Sequence, residues 1–92
     1  MTHELKILTE YFFAVEDGTK TFELRKDDRN FQVGDTLILK EWNMGETDST
    51  GSEKIVIHEQ GYTGREIKKE ISYILKGGQY GLRKGYVILA LS

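Results

Sequence analysis

Lys20, Glu23 and Arg25 stand close together in the run GTKTFELRK, residues 18–26. An ammonium, a carboxylate and a guanidinium at this spacing can pair with each other, grip an anion, or move a proton. A desolvated lysine acts as a base, a carboxylate activates a water, and a guanidinium fork holds phosphate in two bonds. If the run is a strand, Thr21, Glu23 and Arg25 share one face, and Phe22 and Leu24 share the other. The pattern predicts that Phe22 and Leu24 face a core and that the polar face lines a cleft. A plain ion pair between Glu23 and Arg25 is the structural alternative. Exposed pairs contribute only about 0 to 1 kcal/mol, so stability alone is a weak reason for placing them there.

The elements around this run follow from periodicity and punctuation. HELKIL, residues 3–8, reads as a first strand with Leu5 and Ile7 on one side. TEYFFAVEDG predicts a helix with Thr9 as N-cap, Glu10 in the first turn, and a stripe of Phe12, Phe13 and Val15. Gly18 ends it in a left-handed conformation and delivers the chain to Lys20. TFELRK is the second strand. After a turn at VGD, VGDTLILKEW is the third, with Leu37 and Leu39 on a common face. Residues 43–52, rich in Gly, Asp, Ser and Thr, read as a surface loop. KIVIHE and REIKKEISYIL read as strands joined by a hairpin turn at QGYTG. Ile67, Ile71, Tyr73 and Leu75 make one face of the second of these, and Lys69 interrupts that face, which marks a bulge or an edge. KGGQYGLRKG is a turn, and YVILAL is an unbroken apolar strand suited to the middle of a sheet. The order predicts an α+β fold, mainly β, as a small curved sheet or barrel with one helix after the first strand.

Further chemistry is thinner. Trp42, Tyr62, Tyr73, Tyr80 and Tyr86 can act as stacking platforms for bases, and Trp42 and Tyr80 stand out because they sit at element ends with polar neighbours. Lys76, Arg83 and Lys84 give the glycine turn the composition of a phosphate-cradling loop, without the spacing of a P-loop. Gln79 and Tyr80 in that turn are candidates for the cleft wall opposite Lys20. His3 and His58 are too few for a histidine-rich metal centre, and His58 is assigned no role. Cysteine is absent, so neither a disulfide nor a thiolate zinc site holds this chain. No metal or cofactor is expected.

With 92 residues, 38% hydrophobic and 30% charged, the chain has the size and composition of one folded domain. Its net charge of −2 argues against coating a long duplex, which needs many phosphate contacts. No window approaches the roughly 20 apolar residues that span a bilayer, and no secretory leader is evident, so a cytoplasmic protein is expected.

Gly18, Lys20, Glu23 and Arg25 also spell G-x-K-x-x-E-x-R, and in this they resemble the ASCH domains, relatives of the PUA-like RNA-binding barrels. The run lies where that family has it, after the first helix and entering a strand, with VGD downstream as a second agreement. HELKIL, the stretch 11–42, YTGRE and residues 73–89 look like a narrower group of small uncharacterised bacterial and phage proteins, the domain of unknown function 3850. The resemblance covers the chain apart from roughly residues 43–60.

The resemblance implies a PUA-like pseudobarrel of mostly antiparallel strands over residues 1–92. It also implies a cleft between helix and sheet that holds RNA or a modified nucleotide against Lys20, Glu23 and Arg25. One characterised type in the ASCH group is a small amidohydrolase acting on N4-acetylcytidine, whose motif is a lysine, two residues, then a threonine nucleophile. Lys20 matches the lysine, but Glu23 stands in the nucleophile's place, and a carboxylate does not replace a hydroxyl in ordinary acyl transfer. The expectation is therefore a binding module for RNA or a nucleotide-like ligand, with Lys20, Glu23, Arg25, Trp42, Gln79 and Tyr80 at the site. The alternatives are a hydrolase on an acylated nucleoside, with Lys20 and Glu23 as its acid/base pair, and a phage or host protein-interaction domain.

Overall fold

The computed structural model describes residues 1–45 and 60–92. In chain order these form β1 (Thr2–Leu8), α1 (Thr9–Glu16), β2 (Phe22–Lys26), β3 (Thr36–Asn43), β4 (Gly61–Lys76) and β5 (Tyr86–Leu91). The strands make one sheet in the order β1-β3-β4-β5-β2. β1 runs parallel to β3, and the other three pairings are antiparallel. The fold is thus mainly β with one short helix after the first strand, as expected, in a mixed sheet not closed by main-chain pairing. β1 and β2, consecutive strands in sequence, form its opposite edges.

Alternation sets the interior. β1 turns His3, Leu5 and Ile7 inward, and β3 continues from Asp35 through Leu37, Leu39 and Glu41, all of them buried. β5 pairs on both sides and buries Val87 and Leu89, which fits its continuous apolar sequence. α1 starts directly at the end of β1 and closes over the same interior with Phe12 and Val15. Two details differ from expectation. The N-cap is Leu8, extended and without a side-chain cap bond, so Thr9 is already the first helical residue. Phe13 lies 40% exposed, leaving a narrower apolar stripe. Gly18 does end the helical segment with φ +86°, a conformation that favours glycine.

β4 is the main correction. No hairpin turn forms at residues 60–64, because Gly61 pairs with Asn43 and Tyr62 with Trp42, inside a single 16-residue strand. The freedom of Gly64, at φ +92°, is used for a bulge: Lys40 pairs with Glu66 and Trp42 with Tyr62, so Thr63, Gly64 and Arg65 all lie opposite Glu41. Further along, β4 exchanges partners, pairing with β3 up to Glu70 and with β5 from Ile71. The irregularity expected at Lys69 comes instead between Ile71 and Tyr73, while Lys69 pairs in register with Leu37. That slip of one residue reverses the faces, so Tyr73 is 63% exposed and Ile74 packs on the core in its place. The strand expected at residues 54–59, with His58, and most of the loop expected at 43–52 lie outside the described residues. Asn43 itself ends β3.

Candidate functional site

Residues 22–26 form the expected strand, but its faces are reversed. Glu23 is 4% exposed, whereas Phe22 and Leu24 are 45% and 53% exposed. The reason is charge balance at the sheet edge. Burying a carboxylate costs heavily unless cations or other donors meet it, and Lys20 and Arg25 do so from either side. Lys20 Nζ donates to Glu23 Oε1 and to the carbonyl of Phe22, the latter at 2.7 Å. Arg25 Nε donates to Glu23 Oε2 at 3.0 Å, and its Nη2 donates to the carbonyl of Lys6 at 2.6 Å. Arg29 Nη1 reaches the carbonyl of Glu4 at 2.8 Å. Two arginines from the β2 side therefore occupy carbonyls on the edge of β1 that pairs with no other strand among the described residues, drawing the two margins of the sheet towards each other.

Between those margins lies a cleft of about 450 Å³, within the range usual for small-ligand sites. Lys6, Ile7 and Leu8 of β1, Tyr11 of α1, and Lys20, Phe22, Glu23, Leu24 and Arg25 line it. The lining sets three cations against one carboxylate and offers two half-open aromatic rings. Lys20 Nζ stands 5.0 Å from the Phe22 ring centroid and 5.7 Å from that of Tyr11. Phe22 and Leu24, expected in the core, instead form an apolar rim on this opening.

The other candidates divide. Trp42, half-buried on β3, does not line the cleft but is joined to it through Lys6, whose Nζ lies 3.9 Å from the Trp42 ring centroid. Tyr62 meets Trp42 edge to face at 4.9 Å, and Lys40 Nζ stands 4.9 Å over Tyr62. Exposed cation–π contacts of this kind contribute about 0.5–1 kcal/mol each. Gln79 and Tyr80 are not brought to the cleft. They lie in the β4–β5 turn, where Gln79 bridges to Leu82 and Gly77 bonds the carbonyl of Tyr86. Tyr86 pairs with Lys26, so this turn adjoins the far end of β2 from Lys20.

Two buried carboxylates escaped sequence reasoning. Asp35 accepts from His3 Nε2 at 2.8 Å, from the Met1 amino group at 3.0 Å and from the amide of Gln32 at 3.0 Å. The His3 bond, with the amino group second, holds its carboxyl down at about 2. Glu41, 1% exposed, accepts from Thr63 Oγ1 at 2.7 Å and from Arg65 Nε and Nη2 at 2.7 and 3.1 Å. Burial pushes its carboxyl up, but the Thr63 and Arg65 bonds outweigh burial and leave it below the ordinary value. The signal was available: extending the Leu37–Leu39 face by one step each way reaches both acids. Among the described residues, no cluster of three His, Asp or Glu side chains is arranged to hold a metal, and no helix is long and apolar enough to cross a membrane.

Comparison with known proteins places the chain in a family. A 43-residue stretch is 54% identical to an uncharacterised 12.9 kDa protein of Escherichia phage P2, encoded in the GpA 3′ region. The match takes in 47% of this chain and 39% of the phage protein, so the chain spans well under half of that relative. The model of a domain of unknown function, DUF3850, matches residues 2–91, and the chain belongs to that family.

Proposed function

We propose that this protein is a small binding module whose cleft takes RNA or a nucleotide-like ligand. The observation that carries the reading is the cleft lining: Lys6, Lys20 and Arg25 surround a single carboxylate, and the rings of Tyr11 and Phe22 lie half open beside them. Cations beside open aromatic faces suit a ligand with both a phosphate and a base. The mutual bonds of Glu23, Lys20 and Arg25 set these groups in place before any ligand arrives. In the same reading, the fold is a PUA-like pseudobarrel related to the ASCH domains, formed by residues 1–92 and working in the cytoplasm. The drawing together of β1 and β2 by Arg25 and Arg29 supports that architecture.

The hydrolase alternative has less support. It needs Glu23 to accept a proton from water, and both of its oxygens already accept from cations. Calorimetric titration of the protein and of Lys20→Ala with nucleoside monophosphates and short single-stranded RNAs, followed by a search for products, tests the choice. Binding that weakens in the variant with the ligand intact supports the module. Product formation replaces it with the hydrolase. No heat with any probe removes the nucleic-acid reading.

A further inference from the structure

We propose that the cleft is the first station of a longer track, on which single-stranded nucleic acid passes over Lys6 onto the rings of Trp42 and Tyr62. This rests on the nucleotide reading of the cleft. Lys6 belongs to both places: it lines the cleft and its ammonium covers the Trp42 ring. The register makes the connection continuous. Lys6 pairs with Lys40, Leu8 with Trp42, and Trp42 with Tyr62, so two lysines and two aromatic residues lie side by side across three adjacent strands. Each ring carries an ammonium, Lys6 on Trp42 and Lys40 on Tyr62, and Tyr62 is 54% exposed.

The occupant follows from that chemistry. A base offers a π-face that stacks on a ring more strongly than an exposed lysine holds it, so the base displaces the ammonium. The displaced lysine remains on a flexible stem within reach of the adjoining phosphate. Only unpaired bases can present such faces, and the acidic balance of the chain, with Glu4 and Glu66 beside Lys40, is unsuited to a duplex held by phosphate contacts alone.

Trp42 is the only tryptophan of the chain, so its emission reports the track directly. The protein is titrated with a nucleoside monophosphate, a single-stranded RNA hexanucleotide, and the same hexanucleotide as a duplex. The single strand is expected to bind about tenfold or more tighter than the monophosphate, consistent with an added stacked base, and to quench Trp42 while the monophosphate does not. Tyr62→Ala, checked for folding by circular dichroism, is expected to close most of that gap, and Trp42→Phe to leave it largely open because a ring remains. Equal affinity for monophosphate and single strand, with Trp42 emission unchanged, overturns the track and leaves the cleft reading standing. Equal binding of the duplex overturns the stacking mode. Failure of every probe to bind overturns the track together with the cleft reading.

Discussion

Arg25 donates to the main-chain carbonyl of Lys6 at 2.6 Å, joining β2 to β1, the two strands at opposite edges of the sheet formed by the described residues. The carbonyl of Glu4, two residues earlier on the same side of β1, is met in the same way by Arg29 at 2.8 Å. Guanidinium groups here take the place of the N–H donors of a missing neighbouring strand, and they also guard an edge that would otherwise invite pairing with another chain. Arg25 serves the cleft and the fold at once.

Arg25→Ala is therefore expected to destabilise the protein by about 1–3 kcal/mol, because it strips Glu23 of a partner and leaves an edge carbonyl without its donor. In a domain of this size each kcal/mol lowers Tm by about 4–8 °C, which thermal unfolding resolves. Arg25→Lys should recover little, since the three donors of an ammonium radiate from one nitrogen, whereas Arg25 reaches Glu23 through Nε and the Lys6 carbonyl through Nη2, two separated nitrogens of a rigid fork. A Tm equal to that of the parent in both variants would show that the cross-edge bond contributes nothing.

Glu23→Gln keeps the shape of the cleft and removes the one negative charge among the described residues that line it. Affinity for a nucleoside monophosphate is expected to rise about tenfold, equivalent to about 1.4 kcal/mol, as Lys20 and Arg25 lose their internal counter-ion. Stability should fall at the same time, by about 1–3 kcal/mol, since a neutral amide cannot accept from both cations. Calorimetry and urea unfolding on the same sample measure both. Weaker binding in this variant would mean that Glu23 itself contacts the ligand.

Acid should destabilise the protein in a defined window. The folded-state carboxyl of Asp35 is held at about 2, below its ordinary 3.8, chiefly by His3. Because the unfolded chain binds that proton first, the contribution of Asp35 is complete above about pH 4 and is lost as the pH falls towards 2. Glu41, also lowered by its partners, adds a contribution of the same sign. Unfolding free energy followed from pH 5 to pH 2 should decline, and Asp35→Asn should flatten that decline while lowering stability at pH 7. A decline of equal steepness in the variant would assign the acid sensitivity elsewhere.

Gly64→Ala tests the bulge that surrounds Glu41. Residue 64 lies at φ +92°, and nothing near it would obstruct an added methyl, so the whole effect is backbone strain. A loss of about 1–3 kcal/mol is expected in chemical denaturation. A midpoint unchanged from the parent would show that alanine reaches this conformation freely.

The reversal of β2 shows where sequence reasoning stops. Alternation alone settles that Glu23 and Arg25 share one face and Phe22 and Leu24 the other, because side-chain direction in a strand has period two. It does not settle which face is inside. Hydropathy chose Phe22 and Leu24, but the interior position went to Glu23 because β2 lies at an edge where Lys20 and Arg25 neutralise the acid and a cleft accommodates the apolar side chains. The same limit applied to β4. Its glycines marked an irregularity correctly, but whether residues 60–64 turn or bulge depended on β3 offering Trp42 and Asn43 as partners.

What the sequence determined by itself were local matters: the helix after the first strand, its end at Gly18, the inward face of Leu37 and Leu39, and a place for the last strand inside the sheet and not at its edge. Each follows from short-range periodicity or from the conformational freedom of a single residue. Only the tertiary structure decided that β1 and β2 meet across a cleft, that Gln79 and Tyr80 lie away from it, and that Lys6 links it to Trp42. Those relations depend on strand order, which contacts between distant parts of the chain set.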